Sequence, residues 1–175
     1  MCAMTKTTLF ATTCFLGLTA VAQAGGKDGT IGVGIESQIA TTGGIDNGID
    51  ALSLNFDAGR FHVGGYLGIG DPAGANNTLF GIGARFFYHL HMSPMSDFGL
   101  GGSIGLLEVP VEADQPTHHY NSELFVEPGF QIRAFITPNV ALSFTGGIVI
   151  AAADASGVDL GGNLEGVAGV HYYFF

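Results

Sequence analysis

A chain of 175 residues is one domain by length, and with 47% hydrophobic but only 11% charged residues it lies far below the roughly 25% charge of soluble domains. A net charge of −10 excludes a nucleic-acid binder, which needs a basic face, and supplies no polybasic patch for anionic lipid. After the N-terminal segment no stretch reaches the ~20 consecutive apolar residues of a spanning helix. A membrane chain of this kind must therefore cross as a closed barrel, in which strand pairing satisfies every backbone polar group.

Residues 1–24 read as a cleavable signal peptide. Lys6 supplies the positive start, Leu9 to Val21 is mostly apolar, and Ala22-Gln23-Ala24 is a small-x-small cleavage site. Met4-Thr5-Lys6 makes a more ordinary beginning than Met1-Cys2. Both cysteines, Cys2 and Cys14, fall in this segment, so the exported chain is expected to have neither a disulfide nor thiol chemistry. Ala11-Thr12-Thr13 before Cys14 is a poor lipoprotein site. Without Lys6 the chain keeps 4 basic and 15 acidic residues, a net charge of −11.

From residue 25 onward the sequence repeats one pattern, apolar residues at period two, the mark of strands with a different environment on each face. The first segment, about Thr30 to Thr41, sets Ile31, Val33, Ile35 and Ile39 against Gly32, Gly34, Glu36 and Gln38. The second, Asp50 to Asp57, sets Leu52, Leu54 and Phe56 against Ala51, Ser53 and Asn55, and a tight turn follows at Asp57-Ala58-Gly59-Arg60. The third runs from Phe61 to about Gly70, with Val63, Leu67 and Ile69 opposite His62, Gly64, Tyr66 and Gly68.

The fourth, about Thr78 to Leu90, sets Phe80, Ile82, Phe86 and Tyr88 against Gly81, Gly83, Arg85 and His89. The fifth, about Phe98 to Glu108, pairs Leu100, Ile104 and Leu106 with Gly99, Gly101, Ser103 and Gly105 on the other face. The sixth, about Asn121 to Ile136, sets Leu124, Val126, Phe130 and Ile132 against Glu123, Glu127, Gln131 and Arg133. Pro128 lacks an amide donor inside it, so a bulge is expected at Pro128-Gly129 toward the outer rim. After Thr137-Pro138-Asn139 the seventh carries Val140, Leu142, Phe144, Ile148 and Ile150 against Ala141, Ser143, Thr145 and Gly147. The eighth, about Asn163 to Phe175, sets Leu164, Ala168, Val170, Tyr172 and Phe174 against Glu165, Val167 and His171.

Two regularities give the pattern direction. Mid-strand charges keep to one parity: Glu36, Arg85, Glu127, Arg133 and Glu165 share a face with the small and polar residues, and Gln131 joins them. A basic residue facing mid-bilayer costs about 2–4 kcal/mol, whereas a soluble sheet turns its polar face outward. A lipocalin-like soluble barrel therefore has the wrong parity. The connections also alternate, with short turns near 57–60, 91–97 and 137–139 and longer ones near 42–49, 71–77, 109–120 and 153–162. Outer-membrane barrels have short periplasmic turns and longer outer loops. Outward aromatics (Phe56, Phe61, Phe86, Tyr88, Phe98, Tyr172, Phe174) gather toward the short-turn rim as an interfacial girdle. The fold expected is all-β: an eight-stranded antiparallel up-and-down transmembrane barrel spanning 25–175.

The ending His171-Tyr172-Tyr173-Phe174-Phe175 resembles the terminal aromatic signature of bacterial outer-membrane barrels. The chain from residue 25 is similar in size and layout to the OmpA-type and OmpX-type small barrels. That resemblance implies recognition of Tyr172, Tyr173, Phe174 and Phe175 by the barrel-assembly machinery, outer-membrane lipid and lipopolysaccharide as surroundings, and a monomer. It carries no functional residue.

An eight-stranded barrel is wide enough only for its own side chains or one small ligand, so the inward polar set Glu36, Arg85, Glu127, Gln131, Arg133 and Glu165 is expected to form a plug. Arg85 is expected to pair with Glu36 or Glu127, since an unpaired buried charge is penalised by several kcal/mol. A narrow selective channel, a proton path or a small-ligand carrier is the alternative reading of the same residues. His62, His89, His91 and His171 are expected to hydrogen-bond in the interior. His118-His119 with Glu112 and Asp114 match no ligand spacing. His91-Met92-Ser93 has the elements of a hydrolase pair but falls at a periplasmic turn, and His119, Ser122 and Glu123 lack a triad's spacing. The chain is expected to be no enzyme and to hold no cofactor or metal. Acidic outer-loop residues (Asp46, Asp71, Glu112, Asp114, Asp154, Asp159) suit cation bridges to lipopolysaccharide.

Overall fold

The computed structural model describes residues 28–41, 50–71, 78–110, 120–153 and 161–174. Residues 1–24, read above as a signal peptide, lie outside them, as do His118, His119, Phe175 and the loop acids Asp46, Glu112, Asp114, Asp154 and Asp159. The described chain forms β1 (Thr30–Thr41), β2 (Asp50–Asp57), β3 (Phe61–Gly70), β4 (Leu79–Met92), β5 (Ser96–Pro110), β6 (Tyr120–Thr137), β7 (Val140–Ala153) and β8 (Gly161–Phe174). Each strand pairs antiparallel with its neighbours in chain order, and β1 pairs with β8, so the sheet closes.

Following the ladder from Gly34 through Ser53, Tyr66, Gly83, Gly105, Phe125 and Ala151 reaches β8 at Gly161. Gly34 itself pairs with His171 on β8 (171 against 161), a stagger of ten residues. Such a stagger forces the strands to tilt, by about 35–45° in small barrels. The connections 58–60, 93–95 and 138–139 share one end with Asp28 and Phe174, and the longer connections share the other.

Alternation decides which residues face where, and it runs opposite to that of a soluble protein. Ile35, Ile39, Leu52, Leu54, Ile69, Ile104 and Leu106 are exposed on the outer wall. The outward aromatics Phe56, Phe61, Phe86, Tyr88, Tyr172 and Phe174 are exposed too, near the short-turn end. Among the described residues the buried hydrophobics are Leu79, Phe87, Phe135, Ala141 and Tyr173, while the buried polar set includes Glu36, Asn55, Asp57, His62, Arg85, Asp97, Glu127, Gln131, Arg133 and His171. Bare side-chain polarity therefore sits where a soluble barrel keeps its grease.

Glycines on the inner wall make that packing possible. A Cβ on Gly83 would fall on the Tyr66 ring, one on Gly34 on the His171 imidazole, and one on Gly147 within 2.6 Å of the Glu127 carboxyl. Each glycine is a seat for a large side chain from a neighbouring strand. Conformational freedom matters separately at Gly59, whose φ of 67° in the β2–β3 turn is a backbone state that side chains disfavour.

The strand limits depart from expectation mainly at the ends. β4 runs from Leu79 on to Met92, β5 begins at Ser96, β6 covers Tyr120–Thr137, and β8 starts at Gly161 and stops at Phe174. The expected bulge at Pro128-Gly129 is absent. On β7, Val126 faces Ile150 and Gly129 faces Gly147, so the register is unbroken, and Pro128 stays opposite Gly102 on β5. The ladder to β7 merely omits Glu127 and Pro128, so a skipped pairing accommodates the absent amide and no residue is inserted. Register shifts occur instead at Gln38/Ala40, His89/His91 and Phe135/Thr137.

The barrel wall is uneven. β2 has 8 residues and β3 has 10, against 14 to 18 in β4–β8. At the upper end of the short β2 the outward, exposed Asp50 pairs with the exposed Ser37 of β1.

The seat-and-occupant packing makes a specific prediction. Gly83→Val is expected to destabilise the folded barrel by about 1–3 kcal/mol through overpacking. Combining it with Tyr66→Ala should recover part of that loss in a denaturant-unfolding double-mutant cycle. Strict additivity would show that the two positions do not share the space.

Candidate functional site

The lumen is built in storeys. At the short-turn end, β6 carries Arg133 inward, 1% exposed. Its Nε and Nη2 donate side-on to Asp97 at 2.7–3.1 Å. Its Nη1 donates to Asp57 Oδ2 (2.9 Å) and to the Tyr173 hydroxyl (2.7 Å). The remaining Nη2 proton is directed at His89 Nε2, 3.2 Å away. All five guanidinium donors are thus used. The rings of Phe135 and Tyr173 flank the cation at 5.4 and 5.7 Å, an arrangement that stabilises a desolvated guanidinium.

The histidines complete this layer. His89 donates from Nδ1 to the Gly59 carbonyl (3.1 Å), which leaves Nε2 as an acceptor for Arg133 and for His62 Nδ1 at 2.9 Å. Asp57, His62 and His89 have the composition of a metal triad, with donor atoms within 4.8 Å of one another. Arg133 Nη2 lies 2.9 Å from Asp57 Oδ1 and 3.2 Å from His89 Nε2. The guanidinium therefore lies against two of the three groups, Asp57 and His89, and holds them with its own positive charge.

One storey up, Arg85 of β4 grips Glu36 of β1 through both terminal nitrogens, one of them at 2.8 Å. Its guanidinium lies 5.6 Å from the Tyr66 ring centre. His171 of β8 accepts from Asn55 Nδ2 (3.0 Å) and turns Nε2–H toward Ser143 Oγ (2.7 Å), with Glu36 Oε1 3.5 Å away. On the next turn of the inner wall Gln131 donates to Thr145 (3.0 Å).

The upper storey holds Glu127 and Glu165. Glu127 is buried and hydrogen-bonded by Ser103, but its Oε1 has no partner. Glu165 is half-buried.

Glu36, Arg85, Glu127, Gln131, Arg133 and Glu165 all lie inside the barrel, and they divide among three levels in place of one network. Tyr172 and Phe174 face outward, whereas Tyr173 points inward and belongs to the Arg133 cluster. His91 corrects the expectation for the histidines. The register shift at His89/His91 carries it past the inward phase, and it is exposed. Ser93 is tied into the β4–β5 turn, donating to the Ser96 carbonyl at 3.0 Å, so His91 and Ser93 form no catalytic pair.

Sequence reasoning missed Asp57 and Asp97. Asp57 opens the turn Asp57-Ala58-Gly59-Arg60, yet it continues the Ser53–Asn55 parity by one step. Asp97 likewise continues the Gly99–Gly101 parity once β5 is extended to Ser96. Extending alternation to the strand residues that flank each short turn would have found both.

No protein-family profile matches the chain, and no curated protein matches its sequence. Solved structures do match. Neisserial surface protein A (NspA) superposes with a TM-score of 0.58 at 16% identity, covering 84% of this chain and 98% of that one. The N-terminal β-barrel domain of Pseudomonas aeruginosa OprF gives 0.55 at 12% identity, with 86% and 99% covered. The fold is that of the small eight-stranded outer-membrane barrels. At these identities the likeness extends to architecture alone.

Removing one partner of a buried ion cluster costs about 3–5 kcal/mol, because the others stay buried and uncompensated. Arg133→Ala should therefore destabilise the folded barrel by that amount in urea unfolding. Adding Asp57→Asn and Asp97→Asn should restore part of it. A loss under 1 kcal/mol for Arg133→Ala would show that the cluster is not a unit.

Proposed function

We propose that the chain is an integral outer-membrane barrel with a structural or cell-surface interaction role and a lumen plugged by its own side chains. The observation that carries this reading is the inverted environment: an apolar outer wall around charged groups that pair with one another. A continuous apolar exterior of this extent has no place in water, and lipid is the solvent that accepts it. The outer-membrane barrels among the structural neighbours support the same location. Export through a cleaved signal, insertion by the barrel-assembly machinery through the terminal aromatics, and lipopolysaccharide as the outer-leaflet neighbour belong to this reading. Asp71, exposed beside Thr78 at the base of the β3–β4 connection, represents the loop acids that would meet cation-bridged lipopolysaccharide.

A narrow channel is the second reading, since charged groups line the axis. The Arg133 layer argues against it, because Asp57, Phe87, His62, Arg133 and Tyr173 leave almost no exposed surface at that end.

Membrane fractionation and heat-modifiable gel migration test the location: the folded chain should sediment with outer membranes and migrate differently from boiled protein. Leu52→Arg, at an outward position 65% exposed, should cost about 2–4 kcal/mol in bilayers. The wild-type barrel should be silent in planar bilayers. Steady conductance whose ion selectivity falls in Arg85→Ala would establish the channel in its place.

A further inference from the structure

We propose that the upper lumen, between Glu127 and Glu165, is a binding site for a hard divalent cation of the calcium or magnesium type. The register brings the two residues to one place on the inner wall, either side of Gly147. Gly147 of β7 pairs with Glu165 of β8, and the Glu127 side chain from β6 lies over Gly147, with its Cγ and Oε1 2.6 Å from the place of a missing Cβ. Glu127 is 6% exposed, and Ser103 engages it while Oε1 is left with no donor.

The independent argument is the chain's supply of positive charge. The whole sequence holds five Lys and Arg residues: Lys6, Lys27, Arg60, Arg85 and Arg133. Lys6 belongs to the signal segment. Lys27 lies outside the described residues, immediately before Asp28 in the sequence, and Arg60 at the short-turn end donates to the Tyr88 hydroxyl. Arg133 is consumed by Asp57 and Asp97 in the lowest layer, and Arg85 by Glu36.

The long connections 42–49, 71–78, 111–119 and 154–160 contain no Lys or Arg. Their two imidazoles, His118 and His119, have an ordinary pKa of about 6.5 and are mostly neutral above pH 7. Among the described residues neither upper carboxylate has an ion pair: Arg85 is hydrogen-bonded to Glu36 and acts on Glu127 only from a distance. A buried carboxylate without a counter-charge is strongly disfavoured, so the neutralising charge, a metal cation or a proton, comes from the medium.

The donor set selects the ligand. It offers carboxylate oxygen and hydroxyl, with neither sulfur nor imidazole among the described residues of that storey, and such sets suit calcium and magnesium over softer metals. The site needs only the folded barrel, so its failure would leave the membrane reading untouched. Success or failure of gel migration and fractionation reports on that reading separately.

The test is calorimetric titration of calcium chloride and magnesium chloride into the full-length, chelator-washed barrel in zwitterionic detergent. One site is expected, with Kd in the range of roughly 10⁻⁴–10⁻³ M known for weak extracellular sites. Glu127→Gln and Glu165→Gln should each weaken it at least about tenfold, while Asp71→Asn leaves it unchanged. Heat-modifiable migration verifies folding of every variant. If Glu127→Gln does not fold, Glu165→Gln at the half-buried position decides. Absence of a divalent site in the wild type would overturn the proposal in favour of a shared proton. Retention of wild-type affinity in the glutamine variants would assign the binding to the loop acids and overturn it equally.

Discussion

Everything in this molecule follows from closure of the sheet. A strand edge exposes a row of amides and carbonyls that lipid cannot satisfy, and the β1–β8 ladder removes the last such edge. Closure with eight strands leaves a bore that side chains must fill. Filling it with apolar groups would leave both wall faces alike. This chain fills it with charge, and charge inside a narrow bore has to find partners. The Arg133 and Arg85 clusters are thus consequences of the ring, and the glycines are the space in which they are built.

The same logic makes the two ends chemically unequal. The short-turn end holds a guanidinium with every donor engaged, two aromatic rings and two hydrogen-bonded imidazoles. The long-connection end holds carboxylates and no guanidinium of its own. Tyr173 links closure to this asymmetry. It lies in the terminal strand that completes the ring, and its hydroxyl accepts a hydrogen bond from Arg133. The C-terminal aromatics therefore serve both walls, with Tyr172 and Phe174 outside and Tyr173 within.

Most of the architecture was legible because period-two alternation is a local property. The bounds of β1, β2 and β3 could be read directly, since Gly-rich or acidic turns stop the pattern sharply. The inward phase of Glu36, Arg85, Glu127, Gln131, Arg133 and Glu165 was legible for the same reason. The pairings were not, because they depend on a ten-residue stagger that no single strand encodes. Asp57 and Asp97 were hidden by their closeness to turns, where acidic residues are commonplace. Pro128 misled in the other direction. A missing donor suggests an inserted residue, but a strand paired on its other side can simply skip a bridge. His91 went astray through a bulge that left no mark in the residue types.

The inequality of strand lengths has a mechanical side. A strand tilted at about 45° needs roughly 9–11 residues to cross the hydrocarbon layer. β2 and β3 stand at or just under that limit, while the opposite wall rises well past it. A bilayer enclosing this cylinder meets a low sill on one flank, where Asp50 and Ser37 draw water and headgroups downward. The surrounding leaflet must dip there or the cylinder must lean, and either response gives a round protein a front and a back within the plane of the membrane.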